Sequence, residues 1–180
     1  ITLAQLAGIA DNFGNKDKHL NRLEWGAIRG FWANALKAEN AILAIRPGGE
    51  GDVTATNVAW KHTNALPEVP SAVFYKGSLY TVKNGGIVSC LNAQTGELRF
   101  RKRAGKGGLI YASPVVGDGK IYIATLAGEV IVLQAGDGFK GLAINQLEEP
   151  IAATPAIVDG QLYVRTADHL YAFALPKSRE

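Results

Sequence analysis

Ser113-Pro114-Val115-Val116-Gly117-Asp118-Gly119-Lys120-Ile121-Tyr122 occurs in three versions along this chain. The first is Ser71-Ala72-Val73-Phe74-Tyr75-Lys76-Gly77-Ser78-Leu79-Tyr80, and the third is Thr154-Pro155-Ala156-Ile157-Val158-Asp159-Gly160-Gln161-Leu162-Tyr163. Their glycines, Gly77, Gly119 and Gly160, stand 42 and 41 residues apart, a period that chance seldom keeps. In each version a short apolar run meets a Lys-Gly or Asp-Gly pair, and a second β-rich run ending in Tyr follows. That pattern predicts a β-hairpin with a tight turn.

Downstream of Tyr80 and Tyr122 the pattern continues through Gly86 and Gly128 into Ile87 to Leu91 and Val130 to Leu133, a third strand for each unit. A fourth is predicted around Leu98 to Arg101 and around Leu142 to Asn145. Four short antiparallel strands per repeat make the module of a propeller blade, which buries its faces only against neighbouring blades. The expected fold is mainly β: a partial β-propeller of about three four-stranded antiparallel blades over residues 58–180. A strand around Val58 to His62 opens it, and the third unit stops after Leu170 to Ala174. Ring closure takes about four to eight blades, so three cannot close a ring alone. The chain starts at Ile1 and has no methionine, which fits the C-terminal part of a longer propeller. The rival architecture is a small open β-sandwich.

Leu91-Asn92-Ala93-Gln94-Thr95-Gly96-Glu97-Leu98-Arg99-Phe100 resembles the repeat of the pyrroloquinoline-quinone-like propellers, the quinoprotein alcohol dehydrogenase-like family, whose pattern is Leu-Asp-Ala-x-Thr-Gly-x-x-x-Trp. Asn92 takes the place of the Asp and Phe100 that of the Trp. In the next unit Leu133-Gln134-Ala135-Gly136-Asp137-Gly138-Phe139 keeps only part of the pattern, whereas Ser113-Pro114 and Thr154-Pro155 match the family's Ser-Pro at the inner strand. The resemblance implies that Thr95-Gly96 turns between the two outer strands and that the Phe100 ring docks between blades. It also implies a periplasmic or secreted protein.

Ahead of Trp60 the pattern changes. Leu20, Leu23, Ala27, Ile28, Phe31, Trp32, Ala35 and Leu36 recur at helical spacing, and Leu3 to Ala10 is a shorter helical candidate. Residues 1–45 are therefore expected to form a helical segment, with 46–57, rich in turn formers, as a linker. The twelve residues from Phe13 to Glu24 resemble an EF-hand loop: Asn15, Asp17, Asn21 and Glu24 fall at liganding positions 3, 5, 9 and 12. Phe13 replaces the first carboxylate, however, and Lys18 replaces the glycine of the sharp turn. The segment is read as a degenerate, structural helix pair, and no metal site is assigned.

The chemistry is sparse elsewhere. A net charge of +3 is too weak to argue for nucleic acid, and Arg99, Arg101, Lys102, Arg103 and Lys106 fit a solvated outer strand and loop. The single cysteine, Cys90, lies in an apolar run and reads as a small buried hydrophobe. His19, His62 and His169 lack the paired spacing of a zinc site, and Asp118, Asp159 and Asp168 belong to turns. The glycines of 46–52 lack the strand-loop-helix setting of a phosphate cradle. No stretch reaches membrane-spanning length. Quinoprotein dehydrogenases carry a vicinal cysteine pair, an aromatic floor for the quinone and an Asp near calcium, none of which has a counterpart here. No catalytic, cofactor-binding or metal-binding residue is assigned, and neither pyrroloquinoline quinone nor calcium is expected. The functional expectation is a non-catalytic scaffold presenting loops to a protein or glycan partner. The alternative is part of a quinoprotein dehydrogenase whose cofactor site lies in other blades.

Overall fold

The computed structural model describes His19 and residues 21–37 and 39–174. The chain separates into two compact units, Ile1–Asn40 and Ala41–Glu180.

In the first unit, helix α1 spans Arg22–Ala35, within the range that the apolar spacing predicts. It begins at Arg22 because Asn21, in extended backbone, closes a capping box. Its Oδ1 accepts the N–H groups of Leu23 (2.9 Å) and Glu24 (3.0 Å), and Glu24 Oε2 accepts the Asn21 N–H (3.0 Å). Ile28 is buried. Asn15, Asp17 and the helical candidate Leu3 to Ala10 lie outside the described residues.

The second unit starts earlier than expected. Strand β1, Ile42–Ile45, pairs antiparallel with β2, Val58–His62, so the helical segment does not run to residue 45. The β-branched Ile42 and Ile45 flank a run that alternates in burial, and a pairing partner outweighs the helix formers just before it. Residues 46–57 are not featureless either, since they hold the short helix α2, Thr54–Asn57. The Asn57 carboxamide ties the loop down by donating to the carbonyls of Arg46 (3.0 Å) and Gly48 (2.6 Å).

Three further sheets follow the repeat. The first has the order β3 (Val73–Tyr75), β4 (Ser78–Lys83), β5 (Ile87–Asn92), β6 (Leu98–Arg103), and the second β7 (Val115–Gly117), β8 (Lys120–Ala124), β9 (Glu129–Gln134), β10 (Gly141–Gln146). The third holds β11 (Ala156–Val158), β12 (Gln161–Arg165) and β13 (Leu170–Phe173). The paired strands are antiparallel throughout. Each repeat hairpin turns on two residues with positive φ: Lys76 (44°) and Gly77 (78°), Asp118 (48°) and Gly119 (66°), Asp159 (48°) and Gly160 (75°). Those are type I′ turns, whose twist matches the strands they join.

The sheets pack face to face. Tyr80, Val82, Val88 and Cys90 of the first meet Ile121, Ile123, Ile131 and Leu133 of the second in one core. Ala124 and Val130, on the opposite face of the second sheet, meet Val164 of the third, with Ala112 and Ile151 from the connectors. The second sheet is thus covered on both faces, which is why β8 and β9 read as nearly unbroken apolar runs instead of alternating ones. The Ser/Thr-Pro positions add a polar chain along the innermost strands. The Ser71 N–H donates to Ser113 Oγ (2.9 Å), and the Ser113 N–H donates to Thr154 Oγ1 (3.0 Å). The architecture is a mainly β, partial propeller. On the third sheet Val158 and Leu170 stay exposed, as does Phe74 on the first.

Candidate interaction face

Antiparallel order puts two kinds of loop at opposite ends of the sheets. At one end are the repeat hairpin turns and the corners between the third and fourth strands. At the other are the turns between the second and third strands and the long connectors from each sheet to the next.

The corner end is a set of structural latches. The Trp60 indole N–H, from β2, donates to the Ala93 carbonyl at 3.0 Å. Its ring lies so close over Gly96 that a Cβ there would come within 2.6 Å, so Thr95-Gly96 needs glycine for the contact as well as for its φ of +75°. One sheet on, Phe100 takes the same place: its ring meets Phe139 edge to face at 5.7 Å and leans on Tyr80 at 6.4 Å. The Phe100 docking expected from the resemblance is present, although the ring is half-buried. Arg99 hydrogen-bonds to Ser78 and pairs with Asp137.

The connector end is knitted in a different way. The Gly85 N–H donates to the Gly108 carbonyl (2.7 Å), the Leu126 N–H to the Leu109 carbonyl (3.0 Å), and the Ile110 N–H to Asn84 Oδ1 (2.7 Å). These bonds anchor the loops while leaving apolar side chains outward. Val69 is 60% exposed, Leu109 47% and Tyr111 42%. Val69 and Tyr111 hold the same repeat position, 42 residues apart. Charged pairs lie at the same end of the sheets. Glu68 binds Asn84 and lies 3.9 Å from the Lys83 ammonium. Glu149 Oε1 lies 2.6 Å from His169 Nδ1, and Glu149 Oε2 accepts from Thr166 Oγ1 (2.5 Å) and the Asp168 N–H (3.2 Å). These donors, Thr166 foremost, hold the Glu149 carboxyl below its ordinary pKa. Glu129, at the repeat position of His169, is buried. Its Oε2 accepts the Lys106 N–H at 3.4 Å, and its Oε1 has no partner among the described residues.

The residues weighed from sequence fall into structural places. Asn21 and Glu24 cap α1. Cys90 is fully buried, and burial raises its thiol pKa, which disfavours the thiolate. Arg101 donates to Ser89 Oγ (3.2 Å) and the Asn64 carbonyl (3.3 Å) and meets His62 Nε2 at 3.2 Å. Arg103 reaches the Gly85 carbonyl, so much of the basic run binds the sheets' own ends. Asp118 pairs with Lys120. Among the described residues no group of three or more His, Cys, Asp or Glu side chains could hold a metal ion. None of their helices is long and apolar enough to cross a membrane. Trp60, Tyr80 and the Glu149–His169 pair escaped the sequence reading. The spacing of Trp60 and Phe100, one repeat apart, was the signal available for the first.

Four-strand repeats stacked face to face, latched at their corners by an aromatic ring, define a segment of a propeller of the quinoprotein-like repeat class. Residues 49–141 match the family described as outer membrane protein assembly factor BamB, and the chain belongs to that family. No curated protein matches the sequence. Among solved structures, BamB from Moraxella catarrhalis is 21% identical with a TM-score of 0.54, the likeness covering 64% of this chain and 36% of that one. The computationally designed Ika4 protein is 12% identical with a TM-score of 0.56, over 77% of this chain and 87% of that one. A europium-containing methanol dehydrogenase is 17% identical over 62% of this chain and 24% of that one, and its TM-score of 0.49 is too low to argue from. At these identities the likeness shows the fold alone. The chain spans about a third of the length of the Moraxella BamB.

Proposed function

We propose that this chain acts as a non-catalytic scaffold that presents its connector end to a protein partner, in the assembly of outer-membrane proteins for which its family is described. The observation that carries this reading is the exposure of Val69, Leu109 and Tyr111 on loops whose backbones are fastened by inter-loop hydrogen bonds. Apolar and aromatic side chains on a rigid frame form the buried centre of a protein interface, and charged groups such as Glu68 and Lys83 suit its rim. An outer-membrane assembly role places the chain in the periplasm. The reading is tested by the double variant Leu109→Asp/Tyr111→Asp in the full parent protein, with the outer-membrane content of β-barrel proteins as the readout. A fall with the parent protein's level unchanged supports it. Full content in the double variant, with loss on changing Lys76 and Asp118 at the opposite end, contradicts it.

A further inference from the structure

A single side chain ties together the two connectors that carry the exposed apolar residues. Asn84 opens the turn between β4 and β5, and its carboxamide donates from Nδ2 to the Glu68 carboxylate and accepts the Ile110 N–H on Oδ1 at 2.7 Å. Glu68 precedes Val69, and Ile110 stands between Leu109 and Tyr111. Both ends of the amide are fixed in polarity, since an ionised carboxylate only accepts and a backbone N–H only donates. The next residue is Gly85, whose φ of +83° suits glycine and whose N–H donates to the Gly108 carbonyl at 2.7 Å. Asn84-Gly85 is the single Asn-Gly pair of the sequence, and the same turn carries Leu126-Ala127 in the second sheet and Ala167-Asp168 in the third.

We propose that Asn84 is a site of spontaneous deamidation, restrained by this clamp and able to unlock it for good. The Gly85 backbone nitrogen, with no side chain beside it to hinder approach, attacks Asn84 Cγ. The new C–N bond closes a five-membered succinimide while the Cγ–Nδ2 bond breaks, and ammonia leaves with the Gly85 proton. Water then opens the ring to aspartate or isoaspartate, with no change of oxidation state. In the closed clamp the Gly85 nitrogen is engaged with Gly108, and the carboxamide is tied at both ends and cannot turn onto it. The reaction therefore belongs to the moments when the connectors part. Its product cannot rebuild the clamp: an acid at position 84 has no donor for Glu68 and sets a second carboxylate against it, while the Lys83 ammonium lies 3.9 Å from Glu68. The Ile110 N–H keeps an acceptor, so the connector of Val69 is the one set free. The chemistry needs no partner, and only its effect on partner binding rests on the proposed scaffold role.

The test incubates the full chain at mildly alkaline pH and follows the tryptic fragment that begins at Asn84 by mass spectrometry, beside a synthetic peptide of residues 81–87 as the unrestrained reference. The acid form is expected to accumulate in the chain, at least about tenfold more slowly than in the peptide. Glu68→Ala, at an exposed position, frees Nδ2 and is expected to speed the reaction about fivefold. Asn84→Asp makes the product directly and is expected to raise hydrogen exchange of the Gly85 N–H about fivefold. Adding Glu68→Gln should reverse that rise, because the glutamine amide supplies the donor that the aspartate lacks. A chain that forms no acid at Asn84, after incubation long enough for the peptide to react many times over, overturns the proposal. So does a rate equal to the peptide's, or one that Glu68→Ala leaves unchanged. Unaltered Gly85 exchange in a folded Asn84→Asp chain overturns the unlocking.

Discussion

The Tyr80 hydroxyl accepts the Gly136 N–H at 2.8 Å and donates to the Gly136 carbonyl at 2.9 Å, binding one sheet to the corner of the next across 56 residues of chain. The ring beneath it is fully buried, and that burial raises the phenol's pKa, so the group stays a neutral donor and acceptor. One side chain thus supplies packing inside the junction and a two-way hydrogen bond at its edge.

Tyr80→Phe keeps the packing and removes both bonds. Gly136 is exposed, so water replaces its lost partner, and the expected loss is about 1 kcal/mol in a denaturant melt. A loss as large as that of a core truncation would show that the hydroxyl holds more than this contact.

Phe100→Ala removes the ring between Tyr80 and Phe139. A fully buried Phe truncated to Ala costs about 3–5 kcal/mol, and the half exposure of Phe100 lowers the expected cost to about 2 kcal/mol. Unchanged stability would remove the latch from the account.

Gly96→Ala is expected to disturb the first junction even though the change is a single methyl. The residue sits at φ +75°, and its Cβ would lie 2.6 Å from the Trp60 ring. Lowered stability should come with a changed Trp60 fluorescence. In a Trp60→Ala background the steric part of the cost should vanish, which a double-mutant cycle measures.

Glu149 sets a pH dependence. Its folded pKa lies below the ordinary 4.5, because Thr166, Asp168 and His169 favour the ionised form. Its stabilising contribution is therefore fully present above the unfolded value and lost as pH falls through the lower, folded one. Glu149→Gln should cost stability at neutral pH and progressively less as the pH drops below about 4.5. A difference between the two proteins that stays constant across that window would contradict the carboxylate's role.

The hairpins, the third strands and the fourth strands were all legible in the sequence, because a 42-residue period with Lys-Gly or Asp-Gly turns leaves few other folds open. Strand β1 was not, since Ile42–Ile45 follows Lys37-Ala38-Glu39-Asn40-Ala41 with no Gly or Pro to mark a break, and only its pairing with β2 makes it a strand. Phe100 was found through its motif, whereas Arg99 was read as a solvated cation because Asp137, its partner, belongs to the next repeat. The connector face depends on which loop residues point outward, which periodicity does not encode.

The central claim is that the connector end of this scaffold touches a protein. Its most direct measurement is site-specific photocrosslinking in the living cell, with the photoreactive residue at Leu109 or Tyr111 on that end and at Lys76 or Asp118 on the other. The account predicts one defined crosslinked protein band from Leu109 and Tyr111 and none from Lys76 or Asp118. A defined band from the hairpin turns alone would contradict it and move the binding face to the opposite end of the sheets.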